Sequence, residues 1–196
     1  MKIYMVRHGQ SEANLKSMLS TWDVPLTESG INDAKMAGRL LSGLKFDKVL
    51  YSPYLRAKQT FENAMPNVEG EELDCIHEFY CGSLEGHTYK DMFEKYGDKL
   101  QKEIDVDNFG DYGGENYADV RARARQFMAY CEGLNAEKVV AFSHAGFILT
   151  LFDEIMGRPG KPGRNIDCHN GSVSVFKYNN GQWTIEAFNI TENSLK

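Results

Sequence analysis

Two apolar runs limit most strongly how this chain can fold. Residues 3–6 read IYMV and residues 139–142 read VVAF. Continuous apolar runs of this length are typical of buried strands in a parallel sheet, which is covered on both faces. Each run stops abruptly at polar or flexible residues, which are Arg7, His8 and Gly9 after the first and Ser143 and His144 after the second.

Helical and extended patterns alternate along the rest of the chain. Strands are predicted over residues 47–51, 73–77, 137–142, 172–178 and 182–188, with Asn180-Gly181 as the turn of a final hairpin. Helices are predicted after the N-cap Thr27, after Ser52-Pro53, and over residues 88–96, 115–133 and 144–156. Residues 97–114 have the profile of a polar loop or lid. This alternation predicts an α/β fold with a mainly parallel sheet.

Composition argues against several classes of function. The chain has 196 residues and a net charge of −6, so it lacks the basic field that nucleic acid requires. No apolar run approaches the length of a transmembrane helix, and the N-terminus enters a strand without a signal-peptide pattern. The four cysteines form no C-x-x-C motif. We therefore expect reduced thiols, a cytoplasmic location and no membrane partner.

Charged and acid–base residues follow several of the predicted strands. Ligands of open parallel sheets bind at the carboxyl ends of the strands, where loops and helix N-termini gather. The residues expected to meet at this edge are Arg7, His8, Arg56, Glu78 and His144. Arginine offers a planar fork of donors to an anion, and histidine acts as a base, acid or nucleophile near neutral pH. Gly9 is expected to give a ligand room beside them.

These residues stand in motifs that resemble those of the histidine phosphatase superfamily, in its phosphoglycerate-mutase-like branch. The motifs occur in the order of that family and span residues 2 to about 178. They read RHGQSEAN at residues 7–14, PLTESG at 25–30, SPYLRAKQT at 52–60, EFYCGSLEG at 78–86, GGE at 113–115 and SHAG at 143–146. The resemblance implies a three-layer α/β/α sandwich. It also implies a single histidine-phosphatase-like domain over residues 1–196, in which residues 79–114 form a substrate-covering insertion.

The resemblance also implies a reaction and assigns its residues. The expected function is a metal-independent phosphomonoesterase that hydrolyses a small phosphate ester through a phosphohistidine, without a cofactor. His8 would be the nucleophile, and Arg7, Arg56 and His144 would surround the phosphoryl oxygens. Glu78 would protonate the leaving alcohol and later activate water. Further phosphate contacts are expected from Asn14, Ser11 and the backbone near Gly171.

Two other functions remain open. One is the phosphoryl transfer of a phosphoglycerate mutase, and the other is a catalytically inactive phosphate-binding module. Mutases of the family carry a longer insertion with cations that grip the substrate carboxylate. Residues 88–112 of this chain hold four lysines, seven acidic residues and no arginine, which favours the phosphatase. The inactive module is disfavoured because a binding protein needs no acid at Glu78.

Other polar residues receive simpler interpretations. The spacing of His77, His87 and His169 matches no zinc site, so no metal is expected. The arginines at 121, 123 and 125 are expected to lie on a solvated face or to pair with acids, with substrate binding as the alternative. Glu115 is expected near a helix N-terminus, where it would orient active-site groups. The expected partner is a small phosphorylated metabolite; a sugar phosphate, an α-ribazole phosphate, phosphoserine and fructose 2,6-bisphosphate all remain possible.

Overall fold

The computed structural model describes residues 1–158 and 165–195. Its centre is a six-stranded sheet with the strand order β3-β2-β4-β1-β5-β6. The strands are β1 (Lys2–Arg7), β2 (Lys48–Tyr51), β3 (Glu71–Glu72), β4 (Lys138–Ser143), β5 (Val173–Asn179) and β6 (Gln182–Ile190). The four strands from β3 to β1 run parallel, and β5 and β6 add an antiparallel hairpin at one edge.

Six α-helices accompany the sheet in the part of the chain that is described. They are α1 (Glu12–Leu15), α2 (Glu28–Leu40), α3 (Leu55–Ala64), α4 (Tyr89–Asp105), α5 (Tyr117–Glu132) and α6 (Ala145–Ile155). Thr27 caps α2 as expected, because its hydroxyl accepts a hydrogen bond from the Gly30 N–H group at 3.0 Å. The N-caps of α3 and α6 are Tyr54 and His144, so both helices begin at the edge that the sequence predicted for the site.

The pleat of the sheet directs alternate side chains into two cores. One core includes α5 and α6 and the strand residues Ile3, Met5, Val139 and Ala141. The other includes α2 and α3 and the strand residues Val6, Val140 and Phe142. Helices therefore cover both faces of the sheet, and the expected α/β/α arrangement with a mainly parallel sheet is confirmed.

Two predicted elements differ from the structure. The strand expected over residues 73–77 is wrong: β3 ends at Glu72, and a 3-10 turn follows over Asp74–Ile76. Cys75 and Ile76 are both buried in the main core, but they reach it from this turn and not from a strand. The helix expected over residues 88–96 continues to Asp105, across a kink at Gly97, where φ is 52°.

The second half of α4 is stabilised by the burial of a few apolar residues, although most of its residues are charged or polar. Leu100 is fully buried in a third cluster, together with Met92, Leu84 and Phe109. This cluster anchors residues that the sequence placed in a polar loop. The segment of residues 79–114 therefore has a core of its own beside the main sheet.

We expect Leu100→Ala to weaken this cluster. Loss of a buried leucine side chain costs about 2–5 kcal/mol, so the amides of residues 98–105 should lose protection of that size in native-state hydrogen exchange. The matched control is Lys102→Ala, which changes an exposed residue of the same helix. Equal exchange in the two variants would contradict the packing described here.

Candidate active site

A cavity of about 480 Å³ opens at the carboxyl ends of the parallel strands. Its floor carries Arg7 and His8 from the end of β1, Arg56 from α3, Glu78 and Gly146. Its walls are largely apolar and come from α1, α4, α6 and the loops between them, including Met18, Leu19, Phe79, Tyr89, Phe109 and Leu149. The sequence-predicted residues Arg7, His8, Asn14, Arg56 and Glu78 thus share one cavity.

The imidazole of His8 is held in one orientation and one tautomer. Its Nδ1 lies 2.7 Å from the carbonyl oxygen of Gly9, and a carbonyl only accepts, so Nδ1 carries the proton. In the neutral ring, Nε2 then keeps its lone pair and accepts from the Nε–H group of Arg56 at 3.3 Å. Burial, together with the charges of Arg56 and Arg7, lowers the pKa of His8 well below its usual range. His8 therefore has the protonation state of a nucleophile at neutral pH.

Thr60 fixes the backbone that orients His8. Its hydroxyl accepts from the Gly9 N–H group at 3.0 Å and donates to the Arg56 carbonyl at 2.6 Å. Through these bonds one buried side chain ties the histidine loop to the helix of Arg56. Thr60 is the last residue of the SPYLRAKQT motif, but no role for it was expected from the sequence.

Gly9 does not serve the purpose expected from the sequence. A Cβ atom at Gly9 would lie 2.2 Å from the carbonyl oxygen of Gly30, and one at Gly30 would lie 2.0 Å from the carbonyl of Gln10. Both glycines are therefore needed where the loop after β1 crosses the start of α2, backbone against backbone. The absence of a side chain at Gly9 lets the two backbone segments pack together and does not make room for a ligand.

Two guanidinium groups lie beside His8 without a carboxylate partner in residues 1–158 and 165–195: that of Arg56 is buried, and that of Arg7 is partly buried. Arg56 is 1% exposed and donates to the carbonyl of Thr21 at 2.9 Å. Arg7 donates to the carbonyl of Cys168, and its buried Nε–H group has no hydrogen-bond partner among the described atoms. Desolvation lowers the pKa of Arg56 from its usual value. A buried cation such as Arg56 favours a compensating anion, so this end of the cavity is suited to an anion.

His144 lies buried next to His8. It is fully buried, and its ring centroid lies 5.2 Å from that of His8. Its Nε2 is hydrogen-bonded to the Ser52 hydroxyl at 2.7 Å, whereas its Nδ1 has no partner in the described chain. Burial and the charge of Arg56 lower the pKa of His144 well below its usual range. The ring thus packs next to that of His8, although it does not form part of the cavity wall.

Glu78 is held at the N-terminus of α6. Its Oε2 accepts from the Gly146 N–H group at 3.2 Å, and its Oε1 accepts from the Phe79 N–H group at 3.0 Å. A Cβ at position 146 would lie 2.4 Å from Oε1, so only glycine lets the carboxylate approach the helix. Glu78 lines the same cavity as His8.

Three further phosphate contacts were expected from the sequence, at Asn14, Ser11 and Gly171, and the structure places only the first of them at the cavity. Asn14 lines the cavity, and its Oδ1 accepts from the Ser11 N–H group at 3.1 Å, which leaves its amide nitrogen for other partners. Ser11 is fully buried and caps α1, so its expected contact with phosphate is wrong. The same holds for Gly171, whose N–H group is donated to the carbonyls of Arg7 and His8 at 3.1 and 3.3 Å.

Asn170, which sequence reasoning missed, supports the site from the neighbouring loop. Its Nδ2 donates to the His8 carbonyl at 2.9 Å and approaches the Asn14 Oδ1 at 3.4 Å. It has no recognisable sequence signal, because its role depends on β5 lying beside β1.

The remaining predictions concern metals and arginines. In the described ranges, no group of three or more potential ligands could hold a metal ion. No α-helix in that part of the chain is long and apolar enough to span a bilayer. Arg121 and Arg125 both pair with Glu154, and Arg123 pairs with Glu115, which confirms the expected ion pairs.

Comparison with known proteins gives the family. A family model for the histidine phosphatase superfamily (branch 1) matches residues 3–191, so the chain belongs to that superfamily. A 2,3-bisphosphoglycerate-dependent phosphoglycerate mutase of Mesorhizobium japonicum is 30% identical over 192 residues, which cover 90% of this chain and 92% of that protein. A mutase of the same type from Lactobacillus johnsonii is 40% identical over 108 residues, or 50% of this chain and 46% of that protein.

Solved structures share the fold over nearly the whole chain. A putative alpha-ribazole-5'-P phosphatase from Escherichia coli has a TM-score of 0.86 at 23% identity, covering 97% of this chain and 96% of that one. A phosphoserine phosphatase from Entamoeba histolytica has a TM-score of 0.81 at 24% identity, with coverages of 97% and 98%. These likenesses confirm the phosphoglycerate-mutase-like architecture.

The buried neutral histidines should make stability depend on pH. Below about pH 6.5 the unfolded state binds protons that the folded state excludes, so the free energy of unfolding falls as pH falls. The limiting slope is about 1.4 kcal/mol per pH unit for each histidine. We expect His8→Asn to show a shallower decline than the unsubstituted protein in urea unfolding between about pH 6.5 and pH 5.

The control for this measurement is His87→Asn, because His87 is exposed. It should keep the slope of the unsubstituted protein. An unchanged slope in His8→Asn would show that His8 is not held neutral by the fold.

Proposed function

We propose that this protein is a metal-independent phosphomonoesterase that acts on a small phosphate ester through a phosphohistidine at His8. The observation that carries the proposal is the pair of guanidiniums, the buried Arg56 and the partly buried Arg7, beside a neutral imidazole whose Nε2 carries a lone pair. Two unneutralised cations select a dianionic phosphoryl group. The adjacent lone pair supplies a nucleophile for it.

The first step transfers the phosphoryl group to the protein. The Nε2 lone pair of His8 forms a bond to phosphorus while the bond to the ester oxygen breaks. The electron pair of that bond stays on the leaving oxygen, which takes a proton from Glu78. Arg7, Arg56 and His144 stabilise the charge on the phosphoryl oxygens, and the free amide of Asn14 adds a donor at the cavity wall.

The second step returns the site to its starting state. Glu78 takes a proton from a water molecule as the water oxygen bonds to phosphorus. The bond from phosphorus to Nε2 breaks and its electron pair returns to the imidazole, so inorganic phosphate is released. No cofactor is required in either step.

The walls of the cavity favour hydrolysis of an ester with a neutral leaving group. Residues 79–114 contribute Phe79, Cys81, Tyr89, Asp107 and Phe109, which supports the proposal that this segment covers the substrate within a single-domain chain. Beyond Arg7 and Arg56, the described lining offers no further cation to hold a carboxylate or second phosphate. A neutral and largely apolar alcohol therefore fits better.

Mutase activity is the alternative, because the curated relatives named above are phosphoglycerate mutases. A mutase must retain a phosphorylated carboxylic acid beside the phosphohistidine, and the walls just described suit such an acid poorly. We also propose a cytoplasmic location, which the four free, buried cysteines support.

The test follows the fate of the phosphoryl group. We expect release of inorganic phosphate from p-nitrophenyl phosphate to exceed conversion of 3-phosphoglycerate to 2-phosphoglycerate in the presence of 2,3-bisphosphoglycerate. We also expect 4-methylphenyl phosphate to react with a higher kcat/KM than 4-carboxyphenyl phosphate. His8→Ala should lose activity by about 10³-fold or more, whereas His87→Ala should keep it.

Faster mutase turnover would assign the alternative function. Absence of turnover on every ester would favour the inactive binding module.

A further inference from the structure

Arg123 holds the segment that carries Glu78 by an unusual number of hydrogen bonds. It projects from α5, and its side chain is only 12% exposed. Nη1 donates to the carbonyls of Cys75 and His77, both at 2.9 Å, and Nη2 reaches the carbonyl of Glu78 at 3.4 Å. One guanidinium thus binds three carbonyls within four consecutive residues.

The same guanidinium makes a bidentate ion pair with Glu115. Nε and Nη2 lie 2.8 Å from the two carboxylate oxygens. Burial raises the pKa of Glu115, but the hydrogen bonds from Arg123 and from the Tyr80 backbone outweigh it and lower the pKa overall. Glu115 is therefore the charged partner that makes burial of Arg123 tolerable.

Glu115 extends the hold to the residues after Glu78. Its Oε2 accepts from the Tyr80 N–H group at 2.9 Å, and its own N–H group donates to the Tyr80 carbonyl at 2.7 Å. The backbone is therefore fixed before Glu78 by Arg123 and after it by Glu115. Arg123 also lies over the ring of Phe147, 5.7 Å from its centroid, next to the Gly146 N–H group that binds the Glu78 carboxylate.

The neighbouring arginines of α5 have no such arrangement. Arg121 and Arg125 both pair with Glu154, on α6. None of their hydrogen bonds in the described structure goes to residues 75–80. The sequence shows three arginines at alternate positions, and only the middle one reaches the segment of Glu78.

We propose that Arg123, paired with Glu115, is a positioning residue that sets the carboxyl group of Glu78 for proton transfer to the leaving oxygen. This inference rests on the proposed function, in which Glu78 is the general acid. Five directed hydrogen bonds require the planar fork of arginine, and the point charge of lysine cannot reproduce them. Small displacements of an acid from its proton acceptor cost large factors in rate.

The test uses the leaving group, because a general acid matters only when the leaving oxygen needs a proton. A p-nitrophenolate ion leaves unaided, whereas an alkoxide does not. We would measure kcat/KM, which ends at transfer of the phosphoryl group to His8, for p-nitrophenyl phosphate and for 2-phenylethyl phosphate. Arg123→Met should lower the value for 2-phenylethyl phosphate at least about tenfold more than that for p-nitrophenyl phosphate.

Matched variants make the comparison specific. Arg121→Met changes an arginine of the same helix and ion-pair type, and it should leave the ratio of the two substrates unchanged. Glu78→Gln should show the same leaving-group dependence as Arg123→Met, and the double variant should lose little more than Glu78→Gln alone. Arg123→Lys should shift the ratio in the same direction, and it replaces Arg123→Met if that variant does not fold.

The outcomes separate this proposal from the proposed function. Equal losses on both substrates in the Arg123 variants would show a merely structural role and overturn the proposal. Full activity on both substrates in the Arg123 variants would overturn it as well. An unchanged ratio in Glu78→Gln would instead reject Glu78 as the acid, and an inactive unsubstituted protein would reject the phosphatase itself.

Discussion

The positive charge of the buried Arg56 and the partly buried Arg7 is the constraint on which the site depends. Taking a guanidinium out of water costs several kcal/mol unless an anion or a full set of acceptors replaces the lost hydration. In the described chain the two groups meet only carbonyl oxygens and the Nε2 atom of His8, and both residues line the cavity. Burial and the same charges keep His8 neutral. The two cations therefore contribute both to the demand for an anion and to the availability of a nucleophile.

The fold supplies this arrangement through the edge of a parallel sheet. Strand β1 ends at Arg7, and β4 ends one residue before His144, so their last residues lie side by side in register. The helices that follow present free N–H groups at the same edge, and α6 uses one of them to hold Glu78. Contacts between backbones, such as that of Gly9 with Gly30, bring these loops closer than side chains would permit. The sheet thereby brings together groups that are far apart in sequence.

Sequence reasoning predicted the parts of the site that follow from strand order. Arg7, His8, Arg56 and Glu78 were expected at one edge because each comes just after a predicted strand, and that expectation held even though the strand before Glu78 is a turn. The roles of Thr60, Asn170 and Arg123 were missed because they depend on contacts between distant segments. Arg123 and Cys75 are 48 positions apart, and no local pattern indicates that they meet. Burial of Leu100 was missed for a similar reason, since its partners lie on other elements.

The central step of the proposed reaction is formation of a covalent bond between phosphorus and Nε2 of His8. Rapid acid-free quenching during turnover of a ³²P-labelled ester, followed by peptide mapping, tests this most directly. The label should appear on the peptide that contains His8 within the first turnover, and it should be stable to base and labile to acid. Turnover without label on any residue, or with the label on another residue, would contradict the account.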